Sequence, residues 1–463
     1  MNPCVLPREE WHQPDRTDLY TLPFRNQFLI YRPRRHLAFV GNRALVDYLA
    51  SRNSPNHDST NSEVEAFLQD VGFDRPALDC KAPLVGDLAM PTQAVLLMTN
   101  NCNLRCIYCY ANAGAEETLT EMPWPLAKTV IDTIVANARN SITNALSLTF
   151  HGGGEPTMHW PVLVQAVEYA KALDSRIRLS MSSNGVWSNT QRQFICHHFD
   201  EVSLSMDGTQ LVQDYQRPRP DGSGSFHAVM ESIMAMDEAH VDYGVRITML
   251  PETVQHLPKV VCFLCEKTLA AAIQVEPTFT RTRGCYADIN EEFADVFADR
   301  FMQAWQAGQA AGRHVYYSAA RPWVVAPAFC LAPLNAMVVT ADGRLVTCFE
   351  VFSEHSPVAK SFTVGRVREG RVDYDLGALR AFVDTQQQRR AECRDCFCYW
   401  HCCGDCATRR PETRARTSGR CRATQRITLN LLLAYMEEGG GVWQGLRDTS
   451  ESRYLNPNTR SSP

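Results

Sequence analysis

The stretch AVLLMTNNCNLRCIYCY (94–110) decides the fold. Its first half is a short run, apolar on both faces, which is the pattern of a strand covered by helices. Its second half breaks into asparagine, arginine and three cysteines, and so reads as a loop. The same apolar run recurs at ALSLTFHG (145–152), RIRLSMSS (176–183), EVSLSM (201–206), YGVRITML (243–250) and AIQVEPTFT (272–280). Between these runs lie helix-period segments: PLAKTVIDTIVANAR, PVLVQAVEYAKALD, TQRQFICHHF, FHAVMESIMAMDEAH and LPKVVCFLCEKT. A further helical segment, DINEEFADVFADRFMQAWQAG, follows the sixth strand. Strand and helix alternating six times predicts parallel βα units. Six units fall short of the eight that close a full barrel, so the expected fold is α/β with a partial (β/α)6 TIM-like barrel.

In parallel βα architectures the chemistry collects in loops beyond the carboxyl ends of the strands. The first such loop holds Cys102, Cys106 and Cys109, the second is HGGGEPT (151–157), the third SSNG (182–185) and the fourth SMDG (205–208). All the unusual sequence therefore falls on one rim. Three thiolates spaced C-x3-C-x2-C suit an iron–sulfur cube, and they leave its fourth iron open to a small molecule. Zinc is the metal alternative, but a structural zinc takes four closed ligands and no fourth lies nearby. A dinucleotide loop is a weak reading of HGGGEP, which lacks the G-x-G-x-x-G order and the helix start behind it.

CNLRCIYC, the GGEP at Gly153 to Pro156 and the serine- and glycine-bearing loops after later strands resemble radical S-adenosylmethionine enzymes over roughly 92–310. The resemblance implies a [4Fe-4S] cluster on Cys102, Cys106 and Cys109, whose unique iron binds the amino and carboxylate groups of S-adenosylmethionine. Reduction then yields methionine and a 5′-deoxyadenosyl radical, which abstracts hydrogen from the substrate. By the same resemblance Gly153, Gly154 and Glu155 contact the methionine amino group. That fits glycine's tolerance of close backbone approach and a carboxylate's affinity for ammonium. Tyr108 occupies the family's aromatic position near the adenine. Ser182 and Asn184 lie where relatives contact ribose or carboxylate. SMDGTQLVQDYQR, with Ser205, Asp207 and Arg217, resembles the family's S-x-D-G…D-x-x-R stretch, and Arg217 suits a carboxylate of S-adenosylmethionine or of a peptide.

The texture changes from Pro327. Glu392 to Cys406 reads ECRDCFCYWHCCGDC, six thiols in fifteen residues. It belongs to a longer series: Cys330, twelve residues, Gly343, four residues, Cys348, then Cys393, Cys396, Cys402, Cys406 and Cys421. This series resembles the seven-cysteine SPASM extension of radical enzymes that modify peptides and proteins. The resemblance implies two auxiliary [4Fe-4S] clusters, one on Cys393, Cys396, Cys402 and Cys421 and one on Cys330, Cys348 and Cys406. The second set is one ligand short. Some relatives place an eighth cysteine six residues before the first, where this chain has Val324. Cys398, Cys403, a residue elsewhere or the substrate stand open as the fourth ligand, against the plainer reading of Cys398 and Cys403 as small buried hydrophobes. A zinc reading of the C-x2-C and C-x3-C pairs also stays open. ITLNLLLAYMEEGG (427–440) reads as one helix, and TSESRYLNPNTRSSP as a disordered end.

Four sections follow: an N-terminal α+β region (1–88), the barrel (89–312), the cysteine-rich section (313–440) and a disordered tail (441–463). In the first, QFLIYRPRRHLAFVG (27–41) alternates as a hairpin and two helical runs follow, RALVDYLASR (43–52) and SEVEAFLQDVGF (62–73). This arrangement faintly resembles the leader-peptide recognition modules of peptide maturases, which take an extended peptide as an added strand. Across all 463 residues the formal net charge is -5, which gives no reason to expect nucleic acid or an anionic membrane as partner. No apolar run is long enough to span a bilayer, and the opening MNPCVLPREEWHQPD lacks the basic region and apolar run expected of a secretory signal. A cytoplasmic location is expected, where eighteen cysteines point to metal or catalysis rather than disulfides. The expected activity is radical maturation of a ribosomally made peptide by thioether or carbon–carbon cross-linking or by epimerisation, fed by flavodoxin or ferredoxin. The alternatives are an anaerobic sulfatase-maturing enzyme forming formylglycine and a non-catalytic iron–sulfur scaffold. Glu276, at the end of the sixth strand, is the first candidate for a catalytic acid–base group, and Asp207 the second.

Overall fold

The computed structural model describes residues 18–52, 61–80, 90–114, 119–141, 145–278, 280–283, 285–286, 289–330, 336–356, 358–368, 370–408 and 418–445. The six expected barrel strands are all present: β4 (Gln93–Leu97), β5 (Ser147–His151), β6 (Arg178–Ser183), β7 (Glu201–Ser205), β8 (Asp242–Met249) and β9 (Ala272–Pro277). They pair in chain order, all parallel. Helices Trp124–Arg139, Trp160–Leu173, Asn189–His198, Phe226–Glu238 and Leu257–Lys267 alternate with them, as the periodicity requires. Local chemistry fixes several of the helix starts. Ser188 and Gln191 form a reciprocal capping box. Asn290 caps helix Glu291–Ala310 through Phe293 N, with Glu291 and Glu292 in its first turn.

Three features go beyond what the sequence pattern predicts. A short strand β12 (His314–Tyr316) adds in parallel to β9, after a small hairpin of β10 (Thr280–Thr282) and β11 (Cys285–Tyr286). On the other flank β13 (Met337–Val339) pairs in parallel with β4, and β14 (Arg344–Val346), β15 (Thr363–Arg368) and β16 (Arg371–Tyr374) continue antiparallel. The cysteine-rich section thus shares one eleven-stranded sheet with the barrel, running from β12 to β16 without closing. Finally, the helix read at 427–440 begins earlier, at Gly419, and runs to Glu438. It packs along Glu291–Ala310 with Arg422 and Arg426 both reaching Asp295 (2.7 and 2.9 Å).

The N-terminal hairpin extends to three strands, β1 (Tyr20–Phe24), β2 (Gln27–Arg32) and β3 (Leu37–Gly41), followed by helices Arg43–Ser51 and Ser62–Asp70. A correction comes from the tail. Val442–Trp443 forms β17 and pairs antiparallel with Phe39 and Ala38 of β3, so the segment from 441 does not begin disordered. The reason is burial: Trp443 is 3% exposed, its ring stacked on Tyr435 and close to Tyr31. The remainder of the expected tail, TSESRYLNPNTRSSP, lies outside the described residues. Trp443→Ala is expected to destabilise the chain by about 3–5 kcal/mol, read as a fall in thermal midpoint, because the emptied slot joins two sections. Among the described residues no helix is long and apolar enough to cross a membrane.

Candidate active site

The three-cysteine loop beyond β4 is pinned by its neighbours through its backbone. Arg105 N donates to Pro218 O (2.7 Å) and Ile107 N to Gln216 O (3.0 Å). The Arg105 guanidinium donates to Cys102 O (2.8 Å), and that of Arg283 to Cys106 O (2.9 Å). The glycine loop beyond β5 is laced to the same loop, with Gly154 N on Thr99 O and Glu155 N on Asn101 O, both at 2.8 Å. A Cβ on Gly154 would lie 1.9 Å from Asn101 O, and one on Gly153 would enter the Phe352 ring at 2.4 Å. Only glycine lets these segments meet.

Cys102, Cys106 and Cys109 line one cavity of about 680 Å³ together with Gly153, Gly154 and Glu155. Burial pushes the Cys102 thiol up to about 12 and Cys106 to about 11, and neighbouring thiols add to the rise. Asn184 Nδ2 lies 3.7 Å from Cys102 Sγ and an Arg217 nitrogen 3.9 Å from Cys106 Sγ. Buried thiols that oppose one another's ionisation are stable as thiolates only against positive charge, which bound iron supplies. The residues present fit an iron–sulfur cube. Among the described residues no three His, Cys, Asp or Glu side chains converge where a single metal ion could sit. A cube, whose irons take one thiolate each, does not ask them to.

The carboxylate of Glu155 is 2% exposed and held in place: Oε1 accepts from Thr157 Oγ1 and Ser183 Oγ, both at 2.8 Å, and Oε2 from Asn184 N at 2.8 Å. Burial keeps its carboxyl above the usual range, opposed by those hydrogen bonds. Thr157 and Ser183 escape a reading of the sequence, because nothing in the spacing shows what orients a glutamate. Ser182, Asn184, Ser205 and Tyr108 all line the cavity. Asp207 does not. It is fully buried and accepts from Tyr108 Oη (2.6 Å), Gln216 Nε2 (2.7 Å), Arg217 Nε (2.9 Å) and Thr248 N (2.9 Å). Arg217 lines the cavity with its guanidinium over the Tyr108 ring (5.2 Å), and Asp207 is its ion-pair partner. Asp207 thus sits as an anchor that orients Tyr108 and Arg217. Glu276 does face the cavity, 4% exposed, with Oε1 accepting from Gln274 Nε2 (2.8 Å) and Ser318 N (3.2 Å).

The cavity continues to Cys330, Cys348 and Cys406. Cys348 follows β14 by two residues, and the chain then turns back toward the glycine loop. There the Phe349 ring stacks on His151 at 5.0 Å, and Phe352 closes against Gly153. The C-terminal thiols fall into two groups by mutual influence. Cys348 is raised by burial and by Glu350, Cys406 and Cys330. Cys421 is raised to about 11 by burial and by Asp405, Cys396 and Cys393, and Cys402 senses Cys421 and Cys396. Ser418 caps the last helix through Cys421 N (3.3 Å), which places Cys421 in its first turn. Cys398 is 1% exposed and does not line the cavity; its thiol lies against Cys396, near Cys402 and Thr428, with Tyr20 and Tyr31 close by. Cys403 lines the cavity, as does Val324, and its thiol donates to Ala326 O (3.1 Å).

Residues 96–264 match the family model described as the Radical SAM superfamily. The cysteine-type anaerobic sulfatase-maturating enzyme of Clostridium novyi (strain NT) is 22% identical over 329 residues, 66% of this chain and 85% of that one. The serine-type anaerobic sulfatase-maturating enzyme of Klebsiella pneumoniae is 25% identical over 364 residues, 70% and 84% respectively. The sporulation killing factor maturation protein SkfB of Bacillus subtilis (strain 168) is 28% identical over 179 residues, 38% of this chain and 40% of that protein. Among solved structures, native anSMEcpe with bound AdoMet superposes with a TM-score of 0.59 at 16% identity, covering 75% of this chain and 99% of that one, a likeness of fold.

Proposed function

We propose, for a chain that carries a radical S-adenosylmethionine domain and is an enzyme using S-adenosylmethionine, a maturase that abstracts hydrogen from a ribosomally made peptide and installs a cross-link or inverted centre. The observation that supports this is one continuous cavity reaching, among the described residues, from the three-cysteine and glycine loops to Cys330, Cys348 and Cys406. Its volume is that of a ligand pocket, so it admits one segment of a chain rather than a folded partner. When a cube is bound, the chemistry it supplies is one-electron reductive cleavage of S-adenosylmethionine to methionine and a 5′-deoxyadenosyl radical. This chain's part is to bind and orient. Cys102, Cys106 and Cys109 would hold the cube, and Glu155, fixed by Thr157 and Ser183, would receive the ammonium group. Tyr108 and Arg217, steadied by Asp207, border the same space. Cys393, Cys396, Cys402 and Cys421 would hold one auxiliary cluster, and Cys330, Cys348 and Cys406 three corners of another, with electrons delivered by a flavodoxin or ferredoxin.

In this reading, for the cross-linking outcome, Glu276, facing the cavity, takes the proton that the peptide loses as its radical gives up one electron to the cluster that Cys330, Cys348 and Cys406 would hold. Glu276→Gln is expected to lower modified peptide by roughly 10²–10⁴-fold while 5′-deoxyadenosine still forms. Mass spectrometry of the peptide and chromatography of the nucleoside check this, and undiminished modification would remove Glu276 from the role.

The sulfatase-maturing reading keeps support from the long matches to two such enzymes. Against it stands Val324 where some relatives have a cysteine. The experiment that separates the readings uses anaerobically reconstituted protein, reductant and S-adenosylmethionine. It compares a short peptide encoded beside the gene, if the neighbourhood holds one, and otherwise a panel of short unmodified peptides, with cysteine- and serine-bearing sulfatase peptides. Modification of the first alone supports the proposal, formylglycine in the second supports the alternative, and absence of 5′-deoxyadenosine with full iron and sulfide content refutes both.

A further inference from the structure

The inward face of the sheet carries a polar row centred on Arg246, a residue that none of the roles above employs. In-register pairing sets Ser205 of β7 beside Arg246 of β8, Arg246 beside Gln274 of β9, and Gln274 beside Tyr316 of β12. Side chains in register on neighbouring strands share a face, and all four line the cavity. Arg321, five residues past β12, lines it too. Of the four arginines that line it, Arg217 is ion-paired with Asp207 and Arg420 with Asp405, which leaves Arg246 and Arg321.

Among the described residues neither guanidinium has a hydrogen bond or ion pair, and Arg321 Nε is buried without a partner. Both lie near the same phenol, which lines the cavity with them: burial raises Tyr316, the Arg321 and Arg246 charges pull it back, and the Glu276 carboxylate adds to the rise. The carboxylates that line the cavity contact other groups: Glu155 is held by Thr157, Ser183 and Asn184, and Asp405 pairs with Arg420. Glu276 Oε1 is taken by Gln274 and Ser318, and Glu350 Oε2 accepts from the Thr408 hydroxyl (3.2 Å). Both are half-buried, so that each is partly drawn from water with no carboxylate in contact, and their planar fork matches a carboxylate with two parallel hydrogen bonds. Ser205 and Gln274 flank Arg246, so an anion placed there meets polar side chains on both sides.

We propose that Arg246 and Arg321 form a carboxylate-binding subsite inside the barrel, which takes an acidic side chain or the terminal carboxylate of the peptide being modified. This rests on the peptide-maturase reading and specifies its substrate. The test is equilibrium binding of short synthetic peptides to the reconstituted holoenzyme with S-adenosylmethionine present. One peptide is capped at both ends and carries a central glutamate, its twin carries glutamine, and the third is the glutamine peptide with a free carboxyl end. The glutamate peptide or the free-ended peptide is expected to bind at least about tenfold more tightly than the capped glutamine twin. Whichever of the two wins identifies the source of the carboxylate. In Arg246→Gln and in Arg321→Gln the preference is expected to shrink to about twofold or less. Equal binding of all three peptides by the parent protein, or binding of none at millimolar concentration, overturns the proposal without needing any variant. So does an Arg246→Gln protein that loses affinity for S-adenosylmethionine yet keeps the peptide preference, since the row would then serve the cofactor. A parent protein that prefers the carboxylate but forms no 5′-deoxyadenosine sinks the maturase reading and leaves the subsite standing. Cleavage of S-adenosylmethionine with no preference does the reverse.

Discussion

Gly154→Ala is expected to form 5′-deoxyadenosine at least about a hundredfold more slowly than the parent, the scale on which a misplacement of about 1 Å is felt in an active site. The cause is a collision with backbone, which cannot swing aside as a side-chain tip does. The added Cβ would lie 1.9 Å from Asn101 O and 2.6 Å from its carbonyl carbon. Relief requires the glycine loop and the three-cysteine loop to part. That strains the bonds from Gly154 N to Thr99 O and from Glu155 N to Asn101 O, and so shifts Cys102 and Glu155 together. The comparison is Gly222→Ala, at a positive φ of 82° but with nothing within 4 Å of the added carbon. That change is expected to cost about 1 kcal/mol of stability and leave the nucleoside rate near the parent's. Equal rates in the two variants would mean that the close approach at Gly154 does not set the chemistry.

Cys106→Ala is expected to lower 5′-deoxyadenosine formation by about 10³-fold or more. The triple change of Cys102, Cys106 and Cys109 to alanine is expected to do little further harm, since residues acting as one unit fail together. Iron and sulfide should fall by one cube's share in both proteins, while the paramagnetic signals of the clusters proposed at the C-terminal thiols persist after reduction. This separates the first-loop site from the others within a single preparation. Persistent cleavage of S-adenosylmethionine by the triple variant would refute the assignment of the open-iron site to these thiols.

How far the chain can be read in advance follows from what each feature asks of it. The barrel strands are legible because runs such as ALSLTFHG and RIRLSMSS are apolar over several residues and bounded by helical periods. The cysteine spacings are legible because a chain that is to hold a cluster must keep its thiols at fixed separations. Strands β13 and β17 are three and two residues long, too short for any period to register, and only tertiary pairing creates them. Helix Leu376–Ala391 escapes notice because just Leu379, Phe382 and Val383 are buried in a segment otherwise rich in glutamine and arginine. The row of Ser205, Arg246, Gln274 and Tyr316 depends on register between four strands, a relation that no single segment carries. For the same reason Asp207 reads as a free acid until its four donors are in view.

The pairing of β13 with β4 leaves no hinge between the barrel and the cysteine-rich section at this edge. Cys102 follows β4 and Cys348 follows β14, and one hydrogen-bonded ladder joins the two strands through β13. Such a ladder stretches very little, because every residue of it is tied to a neighbour at a spacing of about 4.8 Å. Connecting loops can therefore lengthen or shorten over evolution while the path an electron would travel between the two thiol sites keeps its length.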